Sequence, residues 1–141
     1  MSQELKAFKQ GEVSDLQRRI QSFLEKAREI EENTDRSALN VDQRSDFVIL
    51  YQVQDKLHDV LHLLTKMSKP VIVEGYLEKQ ANGRYHVNGL ELASGSYVEV
   101  FNKDEDGGFY VPSRIEYYGN DYYIVDLGKE TPIEGRKVRL K

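Results

Sequence analysis

The residue vocabulary changes abruptly at Ser68-Lys69-Pro70, and no other feature narrows the fold as much. Nine of the ten glycines and eight of the nine tyrosines lie beyond residue 74, whereas the first 68 residues hold one glycine and no proline. Gln, Glu, Leu, Lys and Arg, which lose little on entering a helix, fill the first half. Tyrosine, valine and glycine turns fill the second, as short strands require. Pro70 cannot continue a helix and biases Lys69 toward extended backbone. A chain of 141 residues holds one compact domain or two small units that share a core. The boundary therefore predicts an α+β fold, with residues 1–68 an antiparallel helical hairpin and residues 71–141 a small antiparallel β-barrel domain.

Within the first half, Val13, Leu16, Ile20, Phe23, Ala27 and Ile30 recur at intervals of three and four, the stripe of a helix that packs along another helix. This predicts a helix over about 11–33, with Ser14 and Gln17 as its capping box and Leu5 and Phe8 as an upstream extension. A second helix is predicted over 41–68, starting near Asn40 or Asp42. It carries one stripe of Phe47, Leu50, Leu57, Leu61 and Leu64. A second stripe of Ile49, Val53, Val60, Leu63 and Met67 is offset by roughly 100°. An arc that wide needs more cover than one neighbouring helix supplies. The candidates are the β half of the same chain, which a short linker keeps close, and a second copy, so that the chain is a monomer or a homodimer through helix two; we expect the former.

Glycine turns mark the strands of the second half. Val73, Gly75 and Leu77 alternate with Glu74, Tyr76 and Glu78. Asn88-Gly89 suits a type I′ turn, which sets Tyr85 near Leu92 and His86 near Glu91. Val98 and Val100 point inward from the segment Tyr97 to Phe101. Phe109–Tyr118 and Asp121–Leu127 pair across Gly119-Asn120, Ile115 facing Ile124 and Tyr117 facing Tyr122, and a last strand turns Val138 and Leu140 inward. Five to six short strands with this many tight turns predict a barrel.

Gly83-Arg84-Tyr85, Glu91-Leu92-Ala93-Ser94-Gly95, Val98-Glu99-Val100, Arg114-Ile115-Glu116, Tyr122-Tyr123 and the final Gly135-Arg136-Lys137-Val138-Arg139 resemble the motifs of a small family of uncharacterised domains from Gram-positive bacteria, their phages and mobile elements. The resemblance covers about residues 72–140. It implies a small SH3-like β domain and no activity. The chain departs from the pattern at a tryptophan, offering Phe109 and Tyr110 in that region.

No residues promise chemistry. Without cysteine there is neither a disulfide framework nor a thiolate metal site. His58 and His62 share a helical face, but Asp59 stands where a zinc protease has glutamate, and the remaining histidine, His86, lies in a hairpin. Asn102–Gly107 imitates the start of a calcium loop, but Ser113 stands where a bidentate glutamate is needed. No catalytic residue, metal site or cofactor is expected. The charged N-terminus and the lack of an apolar run near ~20 residues predict a cytoplasmic chain with no membrane partner. What is left is a surface. Arg114, Glu116, Tyr118 and Tyr123 lie on the face of the last hairpin opposite its core, and Glu74, Tyr76, Tyr97, Glu99 and Phe101 extend that face. Tyrosine with arginine is the composition of a protein-binding hot spot. The expected role is thus a non-enzymatic interaction module, most simply protein-binding. The second reading is a nucleic-acid accessory protein that uses tyrosines with Arg84, Arg114, Arg136 and Arg139, and the net charge of −4 disfavours it.

Overall fold

The computed structural model describes residues 2–141, which fall into two units, one ending at Ser68 and the other spanning Lys69–Lys141. The chain is mixed α+β, with helices first and antiparallel sheets after.

In the helical unit, α1 (Gln3–Phe8) starts beneath Ser2, whose Oγ accepts from the Leu5 N–H at 3.1 Å. It passes through a π-helical stretch, Lys9–Val13, into α2 (Ser14–Glu32). Helical backbone thus begins at Gln3, taking in Leu5 and Phe8 as the expected upstream extension of the predicted 11–33 helix, but Ser14 and Gln17 are no capping box. The helix already runs through them, so Ser14 Oγ donates to the Lys9 carbonyl at 3.1 Å and Gln17 Nε2 donates to Thr65 Oγ1 at 3.4 Å. A reciprocal box does form at the start of α3 (Val41–Ser68), where the Gln43 N–H donates to Asn40 Oδ1 at 2.9 Å and the Asn40 N–H to Gln43 Oε1 at 3.0 Å.

Packed against α3, the first helical segment buries Val13, Ile20 and Ala27. Phe47, Leu50, Leu57, Leu61 and Leu64 of α3 are half-buried. The rest of the predicted α2 stripe, Leu16, Phe23 and Ile30, is exposed, because one neighbouring helix covers a single row of side chains. The second α3 stripe is exposed as well, with Ile49 at 60% and Leu63 at 50%.

The β unit has eight strands where five to six were expected: β1 (Val73–Tyr76), β2 (Glu78–Lys79), β3 (Tyr85–Val87), β4 (Leu90–Glu91), β5 (Tyr97–Asn102), β6 (Phe109–Tyr118), β7 (Asp121–Ile124) and β8 (Lys137–Leu140). They form a five-stranded sheet ordered β1-β8-β5-β6-β7 and a three-stranded sheet ordered β2-β3-β4, with no closed barrel among the described residues. Two local events break the longer strands read from the sequence. At Leu77 the chain leaves the large sheet for the small one, its N–H donating to the Arg136 carbonyl and its carbonyl accepting from the Gly135 N–H. After Ile124 the backbone tightens into a 3-10 turn, Val125–Leu127, closed by the Gly128 N–H, so β7 ends early.

Elsewhere the alternation holds. Val98, Val100, Ile115, Ile124, Val138 and Leu140 turn inward and meet Leu77, Val87 and Ile133 in one apolar core. Asn88 and Gly89, with φ of 47° and 87°, make the turn that joins β3 to β4. The Asn88 side chain then donates to the Glu74 carbonyl at 2.7 Å, an approach that Gly75 permits, since a Cβ there would lie 2.7 Å from Asn88 Nδ2. Among the described residues no helix is long and apolar enough to cross a membrane.

Candidate partner-binding face

Residues paired across an antiparallel ladder point to the same side, and this collects the candidate residues on one face of the large sheet. Tyr97 pairs with Arg114, Phe101 with Tyr110, Glu116 with Tyr123 and Tyr118 with Asp121. From the other flank Arg139 pairs with both Glu99 and Glu74. All six residues read from the sequence, Tyr97, Phe101, Arg114, Glu116, Tyr118 and Tyr123, lie on this face. They form two neighbourhoods of different character.

The first centres on Glu99, 4% exposed on the middle strand. Its carboxylate accepts from the Tyr97 hydroxyl and from Arg139 Nε at 2.5 Å, and Lys141 Nζ lies 3.4 Å away. Burial is the largest single influence on this carboxyl and pushes its pKa up. The hydrogen bonds from Tyr97 and Arg139 and the charges of Lys141 and Arg139 together outweigh it and hold the group below its ordinary value. Burial, then the bond to Glu99, drives the Tyr97 hydroxyl far above its ordinary value. Beside this cluster the Tyr110 hydroxyl donates to Glu74; burial first and Glu74 second raise its pKa to about 12. The Arg139 guanidinium lies 4.2 Å from the Tyr110 ring centre and Lys137 Nζ 4.7 Å from that of Phe101. Every cation named here faces a carboxylate or a ring. This region is a closed polar-aromatic network.

The second neighbourhood lies where β6 turns into β7. Arg114 Nε bonds Glu116 Oε1 at 2.9 Å, and Glu116 Oε2 accepts from Ser94 Oγ at 2.9 Å. Farther along, Tyr118 is 62% exposed. Lys129 Nζ lies 3.5 Å from its ring centre and 5.9 Å from that of Tyr123. Because β7 is an edge strand, side chains from both faces reach an open cleft of about 660 Å³ alongside it. Tyr85, Tyr118, Tyr122 and Tyr123 line one part of it and the segment Lys129 to Glu134 another. Tyr122 packs edge-on against both Tyr85 and Tyr117, at 6.3 and 5.0 Å. The rim carries Asp121, Glu130 and Glu134 against Lys129, and Asp121 is bridged at 3.2 Å by Lys79, whose pKa this pairing raises.

Two features of this face escape sequence reasoning. Lys129 stacks on Tyr118 only because the chain returns past β7 after the 3-10 turn, and nothing in its neighbourhood in the sequence announces that. Glu99 reads as an outward carboxylate; the Val-Glu-Val and Val-Arg-Leu patterns of β5 and β8 would have exposed its burial only to a reader who knew that those strands are neighbours.

The other sequence motifs stay separate. His58 and His62 are exposed on α3, and His86 Nδ1 accepts from the Gly89 N–H at 2.9 Å in its turn. In the acidic loop Asp104 Oδ1 accepts from the Asp106 N–H at 2.9 Å. Among the described residues no group of three or more His, Cys, Asp or Glu side chains converges as metal ligands would.

No curated protein and no solved structure matches the chain. One family model does, and its extent follows the β unit: a domain of unknown function (DUF5348) spans residues 75–140.

Proposed function

We propose that the chain is a non-enzymatic protein-interaction module, a helical hairpin followed by a small SH3-like barrel, and that it holds its partner at the Tyr118 end of the sheet and in the cleft beside β7. The observation that carries this reading is Tyr118 itself. It is a large amphipathic ring held in solvent at the mouth of an aromatic cleft, with a lysine stacked on it. Tyrosines so placed give contact area at little entropic cost. With Asp121 already bridged by Lys79, Glu130 and Glu134 against Lys129 on the rim favour a basic or mixed-charge segment. The nucleic-acid alternative has less support, since Arg84, Arg114 and Arg139 each pair with a carboxylate at 3.2, 2.9 and 2.5 Å. The setting that the motif resemblance implies, Gram-positive bacteria and their phages and mobile elements, goes with this reading.

Selection of a random displayed peptide library on the full chain tests it. Enrichment of Arg- or Lys-bearing peptides is expected, with Tyr118→Ala weakening their binding by roughly 10- to 30-fold at an unchanged melting temperature. Failure to enrich any peptide, together with binding of a single-stranded oligonucleotide that falls steeply with salt, would favour the alternative.

A further inference from the structure

We propose that the β unit binds a free α-amino acid with an apolar side chain of leucine size, its carboxylate held by Arg136 and its ammonium by Asp126. The site is a pocket of about 180 Å³ at one end of the core, lined by Val100, Val111 and Ser113 of the large sheet with Asp126, Leu127 and Arg136 beside them. It shares no lining residue with the cleft beside β7.

The placement of Arg136 sets this pocket apart. The Leu77 N–H donates to its carbonyl at 2.9 Å, which continues the β1–β8 ladder by one pair beyond Tyr76 and Lys137. Arg136 thus falls in the same row as Val138 and Leu140, which enter the core. The inward rows of the five strands contain no other charged residue. This guanidinium has no ion pair among the described residues, whereas those of Arg84, Arg114 and Arg139 each have one. It stays exposed, and a planar guanidinium so placed can receive a carboxylate in two parallel hydrogen bonds.

Size and charge together select the ligand. An apolar cavity of ~150 Å³ takes a benzene ring, so this pocket holds one apolar side chain, with Val100, Val111 and Leu127 to pack against it. It falls well short of the ~300–1,000 Å³ of sites for larger molecules. Asp126 is exposed and likewise has no ion pair among the described residues; its N–H donates to Ser113 Oγ at 3.2 Å, which ties its turn to the sheet. Two opposite charges that share a pocket without bridging each other are both answered only by a ligand that carries both. A free α-amino acid does so on the carbon that also bears its side chain. A phosphate would be repelled by Asp126, an apolar amine would leave Arg136 unanswered, and the C-terminal residue of a polypeptide presents an uncharged N–H to Asp126.

Titration of the full chain with L-leucine, followed by the NMR shifts of its backbone amides, tests the proposal. Saturable shifts are expected around residues 100–102, 111–113, 126–127 and 136, with a Kd of roughly 0.1–1 mM. 4-Methylpentanoate, which lacks the ammonium, and 3-methylbutylamine, which lacks the carboxylate, should each bind at least about tenfold more weakly. Arg136→Gln should weaken leucine binding by about tenfold or more at an unchanged melting temperature, and Asp126→Asn should weaken leucine while leaving 4-methylpentanoate unaffected. Absence of saturable shifts at about 10 mM leucine, or equal binding by Arg136→Gln, would overturn the proposal. N-acetyl-leucine binding as tightly as leucine would overturn it too, and would assign the pocket to the carboxyl end of a polypeptide.

Discussion

Glu99 shows how one side chain can be costly and stabilising at once. Its side chain points away from the core that Val98 and Val100 enter, yet is 4% exposed, where an unpaired charge would be untenable, and it persists because Tyr97, Arg139 and Lys141 surround it. Removing the charge strands those partners: Glu99→Gln is expected to cost about 3 kcal/mol at neutral pH. The pH dependence follows from the lowered carboxyl. Its folded value lies below the ordinary 4.5, so its contribution is whole above that value and is lost as the pH falls through the folded value. Melting temperatures of the wild type and Glu99→Gln, taken from about pH 7 down to about pH 3, should therefore converge on the acid side. A constant gap would mean that the charge contributes nothing. The alternation of β5 showed which way Glu99 points; that it is buried depended on Arg139, forty residues on.

Among the elements, the helices and turns were the most legible and the helix contact the least. Spacings of three and four marked both helices, and the second starts where it was expected, at Asn40, which Gln43 meets in a reciprocal box. Periodicity said which residues were apolar, not which of two adjacent rows the neighbouring helix would take. The row it took includes Tyr51 and Gln54, whose Oη and Nε2 are buried without a hydrogen-bond partner among the described residues. A donor left unsatisfied costs about 1–3 kcal/mol. Gln54→Leu should therefore stabilise the chain by about 1 kcal/mol, read as a rise in melting temperature; an unchanged or lower value would show that the amide finds a partner in solution.

On the scale of the whole molecule, the two units differ in how far each can stand alone. The β unit carries a complete apolar core drawn from both of its sheets, so residues 69–141 are expected to fold when produced alone, with a cooperative melt and a strand-rich circular dichroism spectrum. A broad, non-cooperative melt of that fragment would contradict this. The order of helices and strands, the turn at Asn88-Gly89 and the inward row of each strand were determined by the sequence alone, because propensity, capping, positive φ and the period of two act within a few residues. The common face of Tyr97, Phe101, Arg114, Glu116, Tyr118 and Tyr123 followed from the same local rule. Only the tertiary structure decided that β8 lies between β1 and β5, that Arg139 neutralises Glu99, that Lys129 caps Tyr118 and that each helix keeps one apolar row exposed. Those outcomes depend on which distant segments meet, and a contact between residues forty apart leaves no periodic trace in either of them.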